Sequence, residues 1–182
     1  MIEAALLTGG KSRRMGRDKA AIPLGGETQG ERIVRLLSEN GIPTTVLGKE
    51  PVRGASFLAD DATIRSPLEA LRRFEPTADL VLVLSCDLPL FDPRLAPVLE
   101  EHIVDADAAV PFVDGFRQPL VGLYRRTAFA AIPEATCPMD WLDRLKVSYI
   151  DEDGLRRAGV DPNATRGANT PQELAALIGD AS

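Results

Sequence analysis

The chain is poor in the features that mark several functional classes. It has two cysteines, Cys86 and Cys137, in 182 residues, which excludes a disulfide-stapled scaffold and points to a reducing cytosol, hence to a cytoplasmic protein. Its only histidine, His102, falls at the end of a predicted helix and reads as structural. No apolar run approaches the ~18 residues needed to cross a bilayer. The opening stretch Ile2–Leu7 is too short for a secretory signal, and no basic segment precedes it. Repeats and low-complexity tracts are absent. Nor is there an excess of positive charge: the net charge of −6 argues against a protein that coats nucleic acid. Neither a membrane nor a nucleic acid is therefore an expected partner. What remains is an ordinary globular composition, 45% hydrophobic, with a length that suits one domain over residues 1–182.

The charge is unevenly spread. Residues 1–19 hold Lys11, Arg13, Arg14, Arg17 and Lys19 against Glu3 and Asp18, a net +3 that leaves −9 for the rest of the chain. A small positive island on an acidic protein suits a small polyanion better than a long one. The other positive pairs, Arg72-Arg73, Arg125-Arg126 and Arg156-Arg157, read as solvated surface.

Strand-like and helix-like segments alternate throughout. Ile2–Thr8 reads as a buried strand opening at Gly9-Gly10, and Thr28–Asn40 as a helix stopped by Asn40-Gly41. Pro43–Leu47 and Ser56–Ala59 are short strand candidates, Pro67–Phe74 a helix, and Leu80–Leu84 the clearest buried strand. Asp92–Ile103 follows as a helix with Asp92 as cap and Pro93 first. Ala108–Val113 and Leu120–Tyr124, joined through a turn at Gly115, are expected to pair antiparallel. Thr127–Ile132 and Met139–Leu145 read as short helices and Lys146–Ile150 as a late strand. Thr170-Pro171-Gln172-Glu173 is a capping box opening a last helix to Ile178. The pattern predicts an α/β fold of three layers, α/β/α, around a mostly parallel sheet with an antiparallel strand. In such sheets ligands bind beyond the carboxyl ends of the strands.

Two of those ends carry chemistry. The first strand runs into Leu7-Thr8-Gly9-Gly10-Lys11-Ser12-Arg13-Arg14-Met15-Gly16-Arg17-Asp18-Lys19. Adjacent glycines let backbone N–H groups approach a phosphate, and the cations that follow can neutralise a triphosphate. Gly10-Lys11-Ser12 has the ending of a Walker A loop, but Ala5 occupies the position where that motif needs its first glycine, and the Gly-x-Gly-x-x-Gly spacing of dinucleotide folds is missing as well. The second end is Leu84-Ser85-Cys86-Asp87-Leu88-Pro89. A carboxylate just past a buried strand is rigidly held, and Asp87 is suited to hold Mg²⁺ against a triphosphate. Cys86 reads as a small core residue, Trp141 and Tyr149 as packing residues.

These elements together resemble the molybdenum cofactor (molybdopterin) guanylyltransferase family, within the Rossmann-like nucleotidyltransferases. Leu7 through Lys19 meets the family's opening signature and Cys86-Asp87-Leu88-Pro89 its Cys-Asp-x-Pro. Gln118-Pro119-Leu120-Val121-Gly122-Leu123-Tyr124 resembles its acceptor-side strand, and Asn169-Thr170-Pro171-Gln172-Glu173-Leu174 its closing segment. The resemblance implies that Leu7, Thr8, Gly9 and Gly10 cradle the nucleotide and that Lys19 binds its phosphates. It implies that Asp60, or Asp61 in an alternative register, contacts the nucleotide, and that Asp87 binds both magnesium and nucleotide. Arg13 or Arg14 is expected near the outer phosphates, Arg14 being taken as the catalytic one with Lys19 and Asp87. Gln118 falls on the acceptor side, and Asn169 lies where the family's late asparagine faces the acceptor or the metal. Two segments depart from the family: Val46-Leu47-Gly48-Lys49 lacks an asparagine found in some members, and Ser66-Pro67-Leu68-Glu69-Ala70 replaces Gly-Pro-Leu-Ala-Gly near the base. A capping box between Ser66 and Glu69 explains the second change by local helix chemistry.

The reaction so implied is transfer of GMP from GTP to molybdopterin with release of pyrophosphate, Mg²⁺ as cofactor, and transient docking to molybdoenzymes or their chaperones. The alternatives are cytidylyl transfer, guanylyl transfer to phospholactate, and a non-catalytic nucleotide-binding regulatory subunit.

Overall fold

A computed structural model of the protein describes residues 1–9, 23–24, 26–61, 63–168 and 170–180. In chain order the strands are β1 (Ile2–Leu7), β2 (Pro23–Leu24), β3 (Glu27–Thr28), β4 (Thr44–Gly48), β5 (Ser56–Ala59), β6 (Leu80–Ser85), β7 (Ala108–Val113), β8 (Phe116–Arg117), β9 (Val121–Arg125) and β10 (Val147–Asp151). The helices are α1 (Gln29–Glu39), α2 (Pro67–Arg72), α3 (Leu95–His102), α4 (Pro138–Asp143), α5 (Glu152–Arg157) and α6 (Pro171–Asp180), with 3₁₀ segments at Arg126–Glu134 and Pro162–Thr165. The main sheet has the order β10-β7-β9-β6-β1-β4-β5, with β8 extending the pairing to β7, and β2 and β3 form a separate small pair. Neighbours β6, β1, β4 and β5 are parallel, as are β7 and β10. Strand β9 runs against both of its neighbours, β6 and β7.

Alternation of side chains splits the core in two. Ala4, Leu6, Leu82 and Leu84 face one side with Ile33, Val34 and Leu37 of α1, Leu95 and Leu99 of α3 and Leu155 of α5. Ala5, Leu7, Val81 and Val83 face the other, against Leu68 and Leu71 of α2, Ile132 and Trp141. Both faces of the central strands are thus dry, which is why they read as continuous apolar runs, and the three-layer expectation holds. Trp141, fully buried, stacks on Tyr124 with ring centroids 4.2 Å apart and donates its indole N–H to Ala128 O at 3.0 Å.

Capping chemistry sets most helix starts. Thr28 and Glu31 form a reciprocal box on α1, Ser66 and Glu69 on α2, and Thr170 and Glu173 on α6, each satisfying two otherwise orphaned N–H groups. Helix α3 begins two residues later than the sequence suggests, at Leu95 instead of Pro93. Asp92 accepts the Arg94 N–H at 2.9 Å and closes a local turn instead of capping the helix. The stretch around Thr127–Ile132 is 3₁₀ rather than α-helical, with Pro133 inside it and no side-chain cap. Helix α5 and the two-residue strands went unpredicted.

Two arginines expected at the solvated surface are structural instead. Arg125 donates to the carbonyls of Ala106 (2.9 Å), Ile103 (3.1 Å) and Val104 (2.9 Å), fastening the loop before β7. Arg72 reaches the carbonyls of Ile132 and Ala135 and ties α2 to the 3₁₀ segment. Among the described residues, no helix is long and apolar enough to cross a membrane.

Candidate functional site

The parallel strands β1, β4, β5 and β6 end side by side at Leu7, Gly48, Ala59 and Ser85. The chain bends just past each end, so backbone polar groups gather along one edge of the sheet. Thr8, nearly buried, donates its N–H to Leu47 O at 2.9 Å and its hydroxyl to the same carbonyl at 3.3 Å. It nests against Gly48, where a Cβ would stand 2.0 Å from its hydroxyl. Gly9 follows with its N–H on Leu47 O at 3.4 Å. A Cβ on Gly9 would lie 2.3 Å from Asp60 Oδ2, so the Asp60 carboxylate rests against bare backbone.

Of the two aspartates open to the sequence reading, Asp60 is the one that meets Gly9. Its N–H is held by Gly48 O at 2.6 Å. Burial pushes its carboxyl up from the ordinary carboxylate value, Asp61 adds to the rise, and the charges of Arg73 and Lys49 oppose it. Asp61 turns away: it accepts the Thr63 hydroxyl and N–H, which hold its carboxyl below the ordinary value, and faces Arg73 at 3.6 Å.

Asp87 stands at the end of β6. Cys86, buried as expected, fixes the turn by donating its N–H to Leu7 O at 3.0 Å, and the Ser85 hydroxyl donates to Asp87 Oδ1. The segment before α6 closes over this carboxylate. Ala168 N–H donates to Asp87 O at 2.8 Å, and a Cβ on Gly167 would come within 3.2 Å of Asp87 Oδ2. Arg166 anchors that segment with a two-pronged bond to Asp114, one arm Nε to Oδ2 at 2.7 Å. Asp114 and Gly115 form the β7–β8 hairpin tip, both in the left-handed region (φ 55° and 77°), as a two-residue hairpin of the Asp-Gly type requires. Sequence reasoning missed the Arg166–Asp114 link, although the Asp-Gly pair announced the turn.

Gln118 reaches the same edge through a bulge. Phe112 pairs with Arg117 in β8, but Ala108 pairs with Tyr124 in β9, so the returning strand carries three extra residues, Pro119, Leu120 and Val121, just after Gln118. Gln118 keeps its N–H on Pro111 O at 3.0 Å, and Leu120 O accepts the Ser85 N–H at 2.9 Å, which sets the bulge beside the end of β6. The edge thus unites Leu7, Thr8, Gly9, Asp60, Asp87 and Gln118. Gly10, Arg14, Lys19 and Asn169, with the rest of the glycine-cation loop, lie outside the described residues. His102 is tied to its own helix, Nδ1 lying 2.8 Å from Val98 O.

Among the described residues no three His, Cys, Asp or Glu side chains gather as a metal cage. Among the described residues a cation at Asp87 would meet too few carboxylates for a protein cage, a donor set that fits Mg²⁺ completed by phosphate oxygens and water.

The sequence and fold both have clear relatives. The model of the MobA-like NTP transferase domain matches residues 4–146. The chain is 29% identical to the probable molybdenum cofactor guanylyltransferase of Pelotomaculum thermopropionicum, over 93% of this chain and 88% of that protein. It is 30% identical to the probable molybdenum cofactor guanylyltransferase of Bacillus subtilis, over 94% and 92%. Its fold is similar to the crystal structure of molybdopterin-guanine dinucleotide biosynthesis protein A from Archaeoglobus fulgidus, with a TM-score of 0.79, 22% identity and complete coverage of both chains.

Proposed function

The chain belongs to the MobA-like NTP transferase domain family, and on that premise we infer that it transfers GMP from GTP to molybdopterin, releasing pyrophosphate. The observation that carries this reading is the convergence of Gly9, Asp60 and Asp87 on one sheet edge, each with its backbone fixed by a neighbouring strand or loop. The acceptor's phosphate attacks the α-phosphorus of GTP in line; a bond forms from that phosphate oxygen to phosphorus as the bond to the bridging α–β oxygen breaks, and pyrophosphate leaves. A phosphomonoester with a second pKa near ~6 is largely dianionic at neutral pH, so no strong general base is required. The chain's own contribution is positioning and charge neutralisation.

In this reading Leu7, Thr8, Gly9 and Gly10 offer backbone to the nucleotide, and Lys19 and Arg14 offset its phosphate charge. Asp60 borders the nucleoside, Gln118 and Asn169 face the acceptor, and the protein is cytoplasmic. Mg²⁺, held by Asp87 and the triphosphate, would offset charge building on the leaving pyrophosphate. The base is read as guanine from the guanylyltransferase relatives, and a mismatched base would leave buried donors or acceptors unpaired, about 1–3 kcal/mol each. The test is pyrophosphate release with GTP, CTP, ATP and UTP, with and without molybdopterin and Mg²⁺. Preference for CTP overturns the guanylyl assignment, and nucleotide affinity without pyrophosphate release overturns catalysis.

A further inference from the structure

Arg166 is held in a way that the proposed reaction leaves unexplained. All three of its guanidinium nitrogens are engaged: Nε and Nη2 fork onto Asp114, the Nε arm at 2.7 Å, and Nη1 donates to Asn163 Oδ1. Asp114 is itself fixed. Its N–H donates to Glu152 Oε1 at 3.0 Å, and Glu152 pairs with Arg156 at 2.9 Å. Apart from glycines, Asp114 has the one positive φ among the described residues, 55°. The pair is partly open to solvent, 31% of the Arg166 side chain and 50% of that of Asp114, so as an ion pair it contributes little stability. A two-pronged bond does restrict direction, and the planar fork of arginine supplies that restriction where the point charge of lysine does not.

What the fork directs is the main chain on either side of it. Just before Arg166 the chain is anchored in the core: Ala164 and Thr165 are buried, and the Thr165 hydroxyl donates to Pro162 O at 2.9 Å. Just after it, Gly167 and Ala168 lie on Asp87. A Cβ on Gly167 would stand 3.2 Å from Asp87 Oδ2, 3.3 Å from Cγ and 3.5 Å from Oδ1, so bare backbone rests against the carboxylate. Ala168 N–H holds Asp87 O at 2.8 Å, while the Ser85 hydroxyl holds Oδ1 from the strand side. Asp114 belongs to the hairpin whose returning strand carries Gln118 and then Leu120, the carbonyl of which accepts the Ser85 N–H at 2.9 Å. The contacts thus close a ring. From the end of β6 they run through the hairpin to Asp114, across to Arg166, and back through Gly167 and Ala168 to Asp87.

We propose that Arg166 is a positioning residue for the transfer reaction: its fork on Asp114 holds Gly167 and Ala168 against Asp87 and so sets the direction of that carboxylate. The proposal rests on Asp87 being the carboxylate that meets nucleotide and metal. Two conservative variants test it. Arg166→Lys keeps the charge and loses the fork; Asp114→Asn weakens the fork and keeps the turn, because asparagine before glycine suits the same left-handed conformation. Each should lower kcat roughly tenfold and raise the Mg²⁺ concentration for half-maximal rate, with KM for GTP within about twofold. Together they should lose little more than the stronger one alone. Arg35→Ala is the control: Arg35 makes a similar exposed fork, to Glu27, but on α1, and its removal should leave kcat unchanged. A second readout needs neither nucleotide nor metal. In the ligand-free chain the Ala168 amide should exchange its hydrogen roughly tenfold faster in Arg166→Lys, while the Leu6 amide of β1 is unaffected. Native kcat and Mg²⁺ dependence in both variants, an unchanged Ala168 exchange, or an equal fall in kcat in Arg35→Ala overturns the proposal. If the native chain releases no pyrophosphate from GTP and molybdopterin, the proposed function fails, and the Ala168 exchange still decides whether the fork holds the segment over Asp87.

Discussion

Gly9→Ala tests the geometry of the site with one methyl group. Gly9 is not in the left-handed region, so the added Cβ meets no backbone strain and its effect comes from contact alone. It would stand 2.3 Å from Asp60 Oδ2 and 3.4 Å from Asp60 Cγ, with Gly48 Cα at an ordinary 3.5 Å. The carboxylate must retreat by about 1 Å to restore van der Waals contact. An off-rotamer or displaced side chain of this kind costs about 1 kcal/mol, equivalent to roughly 2–4 °C in melting temperature for a chain of this size. Positioning is more sensitive than stability, because a 1 Å misplacement can cost about a hundredfold in rate. We therefore expect kcat/KM for GTP to fall roughly 10- to 100-fold, measured by pyrophosphate release, with a small change in melting. The cycle with Asp60→Ala isolates the cause: where the carboxylate is absent, Gly9→Ala should add little further loss. Native-like kcat/KM in Gly9→Ala, or an equal loss in the Asp60→Ala background, would refute the packing of Asp60 on Gly9 as a functional contact.

Asp87→Asn, nearly isosteric, should leave the melting temperature in place and lower Mg²⁺-dependent turnover about a hundredfold or more; near-native activity at limiting magnesium removes Asp87 from the metal site. Asp60→Asn should separate stability from binding. Burial raises the Asp60 pKa, so its ionised form at neutral pH opposes folding, and the amide should melt at or slightly above the native temperature while KM for GTP rises. Arg125→Ala strands three backbone carbonyls and should cost about 2 kcal/mol, a fall on the order of 5 °C, with kinetics of the surviving fold unchanged; a loss of activity without a melting shift contradicts that purely structural role. Thermal stability should be flat from neutral pH to about pH 5 and fall below about pH 4. The reason is that Glu31 and Asp140, held low by the N–H groups and hydroxyls of Thr28 and Thr136, contribute stability above their unfolded pKa values that is lost as pH drops through the depressed folded ones. A melting temperature that rises on acidification to pH 3 contradicts this.

Local chemistry determined much of this protein from sequence alone. Apolar runs such as Leu80–Leu84 dictate strands buried on both faces, and the boxes at Ser66 and Thr170 dictate helix starts, because each depends on residues within a few positions of one another. The same holds for Asp87, whose place just past a buried strand puts it at the carboxyl end of the parallel sheet. Tertiary structure decided what depends on residues far apart in the chain. Only packing distinguishes Asp60 from Asp61, since the choice turns on which carboxylate meets Gly9, some fifty positions away. Arg72 and Arg125 look like surface charges until remote carbonyls converge on them, and Asp114 and Arg166 become a pair only when the hairpin meets the segment over Asp87. Tyr149 carries no mark of exposure in its sequence; β10 leaves it uncovered because it is the last strand of the sheet, with a neighbour on one side only.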